Sequence, residues 1–296
     1  MALPAALIAD LIQALALSSP IEVVDVGASA LTPGDPPYQP LFAHGLARLT
    51  AFEPNPEELA KLAPSPNRRY LPHAVGDGAA ATLHLTRHPG FASTFPPDPR
   101  VTSQIHSFAA LTEVVARHDL QTVRLDDLPD LPRIDLLKID IQGGELAAFR
   151  GGAQKLSRAL CVQTEVAFTP IYRDQPLFAD QDAMLQRLGL RFFGFASAHR
   201  FPFVGTPKDL YFPAKRQDLG QLVDADAIYL RDFTTWGTLP DEDLKRLFLI
   251  VALTLPALSA TLRLAGLLVS RSLLDQELLD RLLTSFGEAA QIPNAR

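Results

Sequence analysis

Three acidic residues in this chain stand at the ends of apolar runs, each followed by a turn. They are Asp25 in Val23-Val24-Asp25-Val26-Gly27-Ala28-Ser29, Glu53 in Ala51-Phe52-Glu53-Pro54-Asn55-Pro56, and Asp140 in Leu137-Lys138-Ile139-Asp140-Ile141-Gln142-Gly143-Gly144-Glu145. In an open α/β sheet ligands bind beyond the carboxyl ends of the strands, so acids placed there meet a ligand together. Gly27 has no Cβ to hold a ligand away, and Ala28 and Ser29 keep the turn small. Glu53 follows Gly27 by 26 residues, at the end of the next run, where a carboxylate can accept both hydroxyls of a ribose. Asn55 can cap a helix that starts at Pro56. Asp140 should project at the same edge, and Glu145 falls in the first turn of the next helix, where its charge suits the dipole. Each position also has a plainer reading: Asp25 and Glu53 as helix caps, Asp140 as a solvated strand end, Glu145 as a helix-start charge.

These acids converge only if one sheet carries them, and the surrounding pattern supplies that sheet. Residues 22–26, 48–52, 69–74, 134–141 and 160–168 are apolar runs of strand length, continuous rather than alternating, as in strands covered on both faces. Helix patterns near 56–62, 144–149 and 178–188 lie between or after them. The expected fold class is α/β: a Rossmann-like doubly wound sheet, mainly parallel. After Gly189 three further strand-like pieces follow, 190–195, 209–212 and 227–230, of which two can form an antiparallel edge. Thr82–Thr86 alternates like a hairpin arm, and residues 89–100, with four prolines and a glycine, read as an insertion over the ligand edge. From Asp241 the leucine spacing turns helical. The chain therefore divides into an N-terminal helix at 1–20, a ligand-binding domain at 21–232 and a C-terminal helical appendage at 233–296.

Other chemistries find little support. A dinucleotide fingerprint needs three glycines after the first strand, and the Gly27 turn has one; Gly76-Asp77-Gly78 leads into strand-like residues rather than a helix. This disfavours a nucleoside-cofactor oxidoreductase. The phosphate-binding P-loop, the HExxH zinc pattern and the GxSxG nucleophile turn are absent from the sequence. With 296 residues, 47% of them hydrophobic, there is material for a large core. A net charge of −6 without a basic run argues against nucleic acid as a partner. The one cysteine, Cys161, reads as a buried inert thiol. Residues 1–17 lack a basic flank and contain Asp10, which suits a packing helix better than a signal peptide, so a cytoplasmic setting is expected. Residues 247–262 are charge-free but contain Pro256 and fall short of the ~20 residues that span a bilayer, so no stable membrane insertion is expected. The apolar tail could equally pair two copies into a homodimer.

Taken with Leu125-Asp126-Asp127-Leu128, Gln163-Thr164-Glu165 and Asp226-Ala227-Ile228-Tyr229-Leu230-Arg231-Asp232, these motifs resemble, in order and spacing, the FkbM family of methyltransferases over about residues 20–232. The resemblance implies a seven-stranded class I methyltransferase sheet and S-adenosylmethionine as cofactor. It also implies transfer of a methyl group to an oxygen of a sugar, glycan or small natural product. It implies that the turn from Asp25 through Gly27, Ala28 and Ser29 cradles the methionine part, that Glu53 holds the ribose, and that Val75, Gly76 and Asp77 lie against the adenine. Gln142 departs from the family, which usually has an acid there. A hydroxyl acceptor must lose its proton, and Asp140 and Glu165 are the candidate bases, with no metal expected. Phe91, Ser93, Thr94 and Phe95 should form a lid over the acceptor, with residues 201–206 opposite. The rival reading is a non-catalytic donor-binding module acting through its helical tail.

Overall fold

The computed structural model describes residues 3–28, 35–131, 133–207 and 220–290. Seven strands form its main sheet: β1 (Ile21–Val26), β2 (Ala47–Phe52), β3 (Arg68–Leu71), β7 (Leu136–Ile139), β8 (Cys161–Ala167), β9 (Leu190–Phe201) and β10 (Gln221–Arg231). Their order across the sheet is β3-β2-β1-β7-β8-β10-β9. β1 has its next strand in sequence on one side and a much later one on the other. It therefore borders the switch point where open α/β sheets bind ligands.

β2 and β3 run parallel, from Leu49 opposite Arg68 to Phe52 opposite Leu71, and so do β7 and β8, from Leu136 opposite Cys161 to Ile139 opposite Thr164. β10 is antiparallel to β8, with Asp224 opposite Ala167 and Leu230 opposite Cys161. The fold is the expected mainly parallel class I methyltransferase sheet, its antiparallel strand lying between β8 and the outermost strand β9. Every residue of β1 is buried, which accounts for its unbroken apolar run. Val24, Phe52, Leu137, Phe149, Val162 and Tyr229 belong to one continuous core. Burial pushes the Cys161 thiol up to about 12, so it stays protonated and inert. The expected strand-like piece at 209–212 lies outside the described residues.

One expected strand is two. Residues 69–74 break around Pro72, which has no N–H to give a ladder. β3 stays in the main sheet, whereas β4 (Ala74–Val75) joins a second sheet of order β4-β6-β5 with β5 (Ala80–Thr86) and β6 (Val114–Val123). β5 and β6 pair antiparallel from Ala80 opposite Gln121 onward, as the alternation at Thr82–Thr86 suggested. β6 itself was not legible: Arg117, His118, Asp119 and Gln121 give it a polar course in which no residue is buried.

By internal contacts the chain groups into two compact units, Met1–Val23 with Gly34–Arg48 and Arg231–Arg296, and Val24–Pro33 with Leu49–Leu230. The first joins both ends of the chain. Helix Ala5–Leu15 buries Leu7, Leu11 and Leu15 along one stripe. Ser18 donates from N and Oγ to Glu242 Oε2 at 3.1 and 2.8 Å, buried Arg246 donates to Ser19 Oγ at 2.7 Å, and Arg281 pairs with Asp10 at 2.6 Å. The apolar stretch at 247–262 is broken between helices Asp241–Thr254 and Leu258–Ser270, at Pro256. No helix among the described residues is long and apolar enough to cross a membrane.

Candidate active site

Backbone hydrogen bonds carry the sheet ladder into the turns beyond the strands. Phe52 O accepts from Gly27 N at 3.0 Å and Ala28 N at 3.1 Å, Val26 O accepts from Asp140 N at 3.0 Å, and Leu71 O accepts from Glu53 N at 3.1 Å. The three turns are thereby fixed side by side. Gly27 adopts φ +82°, and a Cβ there would lie 2.1 Å from the Asp140 carbonyl oxygen. Only glycine allows these two backbones to cross so closely.

Beside these turns lies a cavity of about 630 Å³, bounded by Gly27, Glu53, Asn55, Val75, Gly76, Asp77, Asp140 and Gln142 and roofed partly by Thr94 and Phe95. Val26, Phe52, Leu83, Leu85 and Ile141 supply apolar wall. Glu53, Glu57, Glu58, Asp77 and Asp140 line it, with no lysine or arginine among the lining residues. Glu53 is buried, and Asn55 N donates to its Oε1 at 2.7 Å. Burial raises its pKa despite that bond, and the nearby Glu58 and Asp25 charges add to the rise. Asn55 Oδ1 accepts from Glu57 N at 3.0 Å and so caps helix Pro56–Leu59, as its position suggested. Asp77 Oδ1 accepts from Ala79 N at 3.1 Å, which shapes its own turn.

Behind the Asp140 turn lies a hydrogen-bond hub that the sequence did not reveal. Gln142 has φ +55° and Gly143 φ +105°, so the chain doubles back and carries the Gln142 amide over the strand ends. Its Nε2 donates to Asp140 Oδ1 at 3.0 Å and to Glu165 Oε1 and Oε2 at 3.0 and 2.9 Å. Its Oε1 lies 3.0 Å from the Tyr172 hydroxyl, which is also 3.0 Å from the Phe91 carbonyl oxygen. Ser93 Oγ donates to Gln142 O at 2.6 Å, tying the insertion to this turn. Gln181 Nε2 donates to Glu165 O at 3.1 Å, so helix Phe178–Arg187 fixes the other end of the hub.

The charges here are crowded. Burial raises Glu165 well above the ordinary carboxylate range, and Asp140, Glu145 and Asp224 add to the effect. Burial likewise raises Glu145 to about 7, although Ile141 N and Gly143 N donate to its carboxyl at 2.8 and 3.0 Å. Lys138 is the counter-charge: burial opposes its protonation, but Asp25, 3.5 Å away, and Asp140 outweigh that and raise its pKa. Asp140, Glu145 and Glu165 offer oxygens within 4.8 Å of one another. The Gln142 amide and two backbone N–H groups already engage those oxygens.

The sequence-derived residues thus fall into groups. Gly27, Glu53, Asn55, Val75, Gly76, Asp77 and Asp140 share the cavity wall. Asp25 and Ala28 do not line it: Asp25 is buried in β1 against Lys138, and Ala28 is buried beside the turn. Glu165 reaches Asp140 through Gln142 and is not part of the wall. Ser29 lies outside the described residues. In the lid cluster, Thr94 and Phe95 line the cavity, Phe91 packs edge-on to Phe108, and Phe108 meets Phe201 with ring centres 4.7 Å apart. Asp126 has a structural task, accepting from Gln154 N and Lys155 N at 3.0 Å each to cap helix Ala153–Leu156. Sequence reasoning gave Lys138, Asp224 and Asp226 no role in the site. The period-two spacing of Asp224 and Asp226 in a strand was the signal available for that pair.

The methyltransferase FkbM domain matches residues 25–192, from the β1 acid through the Asp140 hub to the start of β9. The chain belongs to the FkbM methyltransferase domain family. Its methyl donor is S-adenosylmethionine, and the cavity suits that donor: an acidic lining for a sulfonium and an ammonium, and apolar wall for adenine. No curated protein matches the chain. Among solved structures, the magnesium protoporphyrin IX methyltransferase ChlM from Synechocystis PCC 6803 with bound SAM is 11% identical, covers 77% of this chain and 77% of that chain, and has a TM-score of 0.36. The 16S rRNA (adenine(1408)-N(1))-methyltransferase from Catenulisporales acidiphilia is 15% identical, covers 76% of this chain and 93% of that chain, and has a TM-score of 0.33. Likeness this low says nothing about this FkbM domain's acceptor.

Proposed function

We propose that this chain transfers the methyl group of S-adenosylmethionine to a hydroxyl oxygen of a sugar, glycan or small natural product, and that its site residues divide into a donor group and a proton-accepting group. Glu53 receives the ribose hydroxyls, Gly27 and its turn lie against the methionine part, and Val75, Gly76 and Asp77 border the adenine. Asp140 accepts the proton of the acceptor hydroxyl, with Glu165 behind it as the second carboxyl of a pair coupled through Gln142. Burial, with the Asp140, Glu145 and Asp224 charges nearby, raises Glu165 well above the ordinary carboxylate range, so Glu165 keeps its own proton and Asp140 is the group left to receive one.

The donor supplies a methyl group already activated on a sulfonium. What remains for the protein is alignment, exclusion of water and a place for one proton. The observation that carries the reading is the lining itself: carboxylates at the ends of the two strands that flank β1, Glu53 after β2 and Asp140 after β7, with no lysine or arginine on the wall. Phosphate-bearing cofactors need the opposite charge. A catalytic role is favoured over a mere binding module because Asp140 lines the cavity with a fixed hydrogen-bonded partner behind it.

The reading is tested by titrating the full chain with S-adenosylhomocysteine, with NAD as the control. Micromolar binding of the first alone is expected, followed by incorporation of labelled methyl from S-adenosylmethionine into a panel of hydroxylated glycosides. NAD binding in its place overturns the reading.

A further inference from the structure

The carboxyl edge of the main sheet carries a second polar group that the methyl-transfer reading leaves without a task. The β8–β10 register sets Glu165 opposite Asp226 and Ala167 opposite Asp224, which places both aspartates on the same face as Glu165. From the neighbouring edge strand, Ser197 Oγ donates to Asp226 Oδ2 at 2.5 Å, and His199 Nδ1 lies 2.5 Å from Asp224 Oδ1. Because Glu165 is joined to Asp140 through Gln142, the polar row is continuous from the cavity wall to the sheet edge. Four adjacent strands about 4.8 Å apart give it a length of roughly 14 Å, room for a ring beside the reacting centre.

We propose that this row is the acceptor subsite, and that Ser197, His199, Asp224 and Asp226 select a neutral, polyhydroxylated ring. The proposal rests on the methyl-transfer reading and names its substrate class. Ser and His can each donate and accept, and carboxylates accept from hydroxyls, so the row offers alternating partners for a run of vicinal hydroxyls. The His199 side chain is 49% exposed, so a ligand can reach it. Asp140, Asp224 and Asp226 outnumber the cations that face them, Lys138 and His199, which disfavours a phosphorylated or carboxylated ring and so selects by charge. Asp224 holds the imidazole through a hydrogen bond and raises its pKa, with Asp226 and Asp140 adding to the field.

The experiment uses the full chain loaded with S-adenosylhomocysteine. Saturation-transfer NMR is recorded with neutral methyl glycosides, with the corresponding uronic acids and with sugar phosphates. We expect at least one neutral glycoside to bind and the anionic partners of that glycoside to bind at least tenfold more weakly. Asp226→Asn and His199→Gln should each weaken the glycoside by about tenfold while S-adenosylhomocysteine affinity stays that of the wild type. Anionic rings binding as well as neutral ones overturn the proposal, as does wild-type glycoside binding in both variants. If the loaded chain binds no member of the panel, the subsite is refuted while the donor site stands; if S-adenosylhomocysteine itself fails to bind, the methyl-transfer reading falls instead.

Discussion

The two halves of the carboxyl edge are built on different principles. On the donor side, at the ends of β1 and β2, each functional group belongs to a local strand–turn unit: a buried strand, then Gly27 or Glu53, then a helix or loop. The backbone bonds from Gly27 and Ala28 to Phe52 and from Glu53 to Leu71 then only set those units side by side. On the acceptor side the bonds that join the strands are long-range. Gln142 joins Asp140 to Glu165 across 23 residues of chain and meets Tyr172 from 30 residues away, and Ser197 meets Asp226 across 29. A group defined by its own turn can be read from sequence; one defined by cross-strand register cannot, because register is a property of pairs. In the function proposed above, binding the common donor and selecting the particular acceptor fall on these two sides respectively.

A crossed pair of variants tests that division most strongly. Asp140→Asn should lower turnover of an identified acceptor by roughly 10²–10⁴-fold, the usual worth of a positioned base, with S-adenosylhomocysteine affinity within about threefold of wild type. Glu53→Ala should do the reverse, costing about 3 kcal/mol of donor binding if two hydroxyl bonds to a charged carboxylate are lost. Titration calorimetry and initial rates on both proteins read the two effects separately. Comparable losses in both quantities for both variants would show that the halves are not separable.

The legibility of the fold follows the same line. Strands β1, β2, β7 and β8 were readable because burial on both faces demands unbroken apolar runs. β6 was not, because a strand with no buried residue, interrupted by Arg117, His118 and Asp119, has no continuous apolar run. The run at 69–74 looked continuous by hydropathy, and the break at Pro72 is a hydrogen-bonding fact rather than a hydrophobic one. Asp25 shows a different gap: its position at a strand end suggested ligand contact, and nothing in the sequence signalled that Lys138, two residues before Asp140, pairs with it. Charge pairs across a parallel sheet leave no trace in spacing along the chain.

A smaller effect sharpens the contrast through pH. Glu145 has its folded-state pKa raised to about 7 by burial, above its unfolded value. Its contribution to stability is therefore fully present below the unfolded pKa and lost as pH rises through about 7. Glu165 and His199, both raised, act in the same direction. The melting temperature of the chain should fall between pH 5 and pH 8. Glu145→Gln keeps an oxygen for Ile141 N and Gly143 N while removing the titration, and should flatten the fall by on the order of 1–3 kcal/mol. Glu53 is also raised, so Glu53→Gln provides the donor-side comparison, with a weaker flattening expected because fewer acids crowd it. An equal effect from the two variants would mean that the acceptor half is not the more strained of the two.

The smallest prediction concerns the orientation of one amide. Both carboxyl groups facing Gln142 accept from its Nε2, and the Tyr172 hydroxyl, 3.0 Å from Oε1, steadies the other end of the amide. Tyr172→Phe removes the donor without opening the wall, so the fold should lose about 1 kcal/mol. The flipped amide would aim its oxygen at two acids and is not a refuge. Asp140 should therefore keep its partner but hold it less firmly: kcat falls several-fold, KM for the acceptor changes little, and S-adenosylhomocysteine affinity does not change. Gln142→Glu replaces the donor with a further acid beside Asp140 and Glu165, and its loss of turnover should exceed that of Tyr172→Phe. If the glutamate variant is as active as wild type, the hub works by charge rather than by a directed amide, and Tyr172 is a packing residue alone.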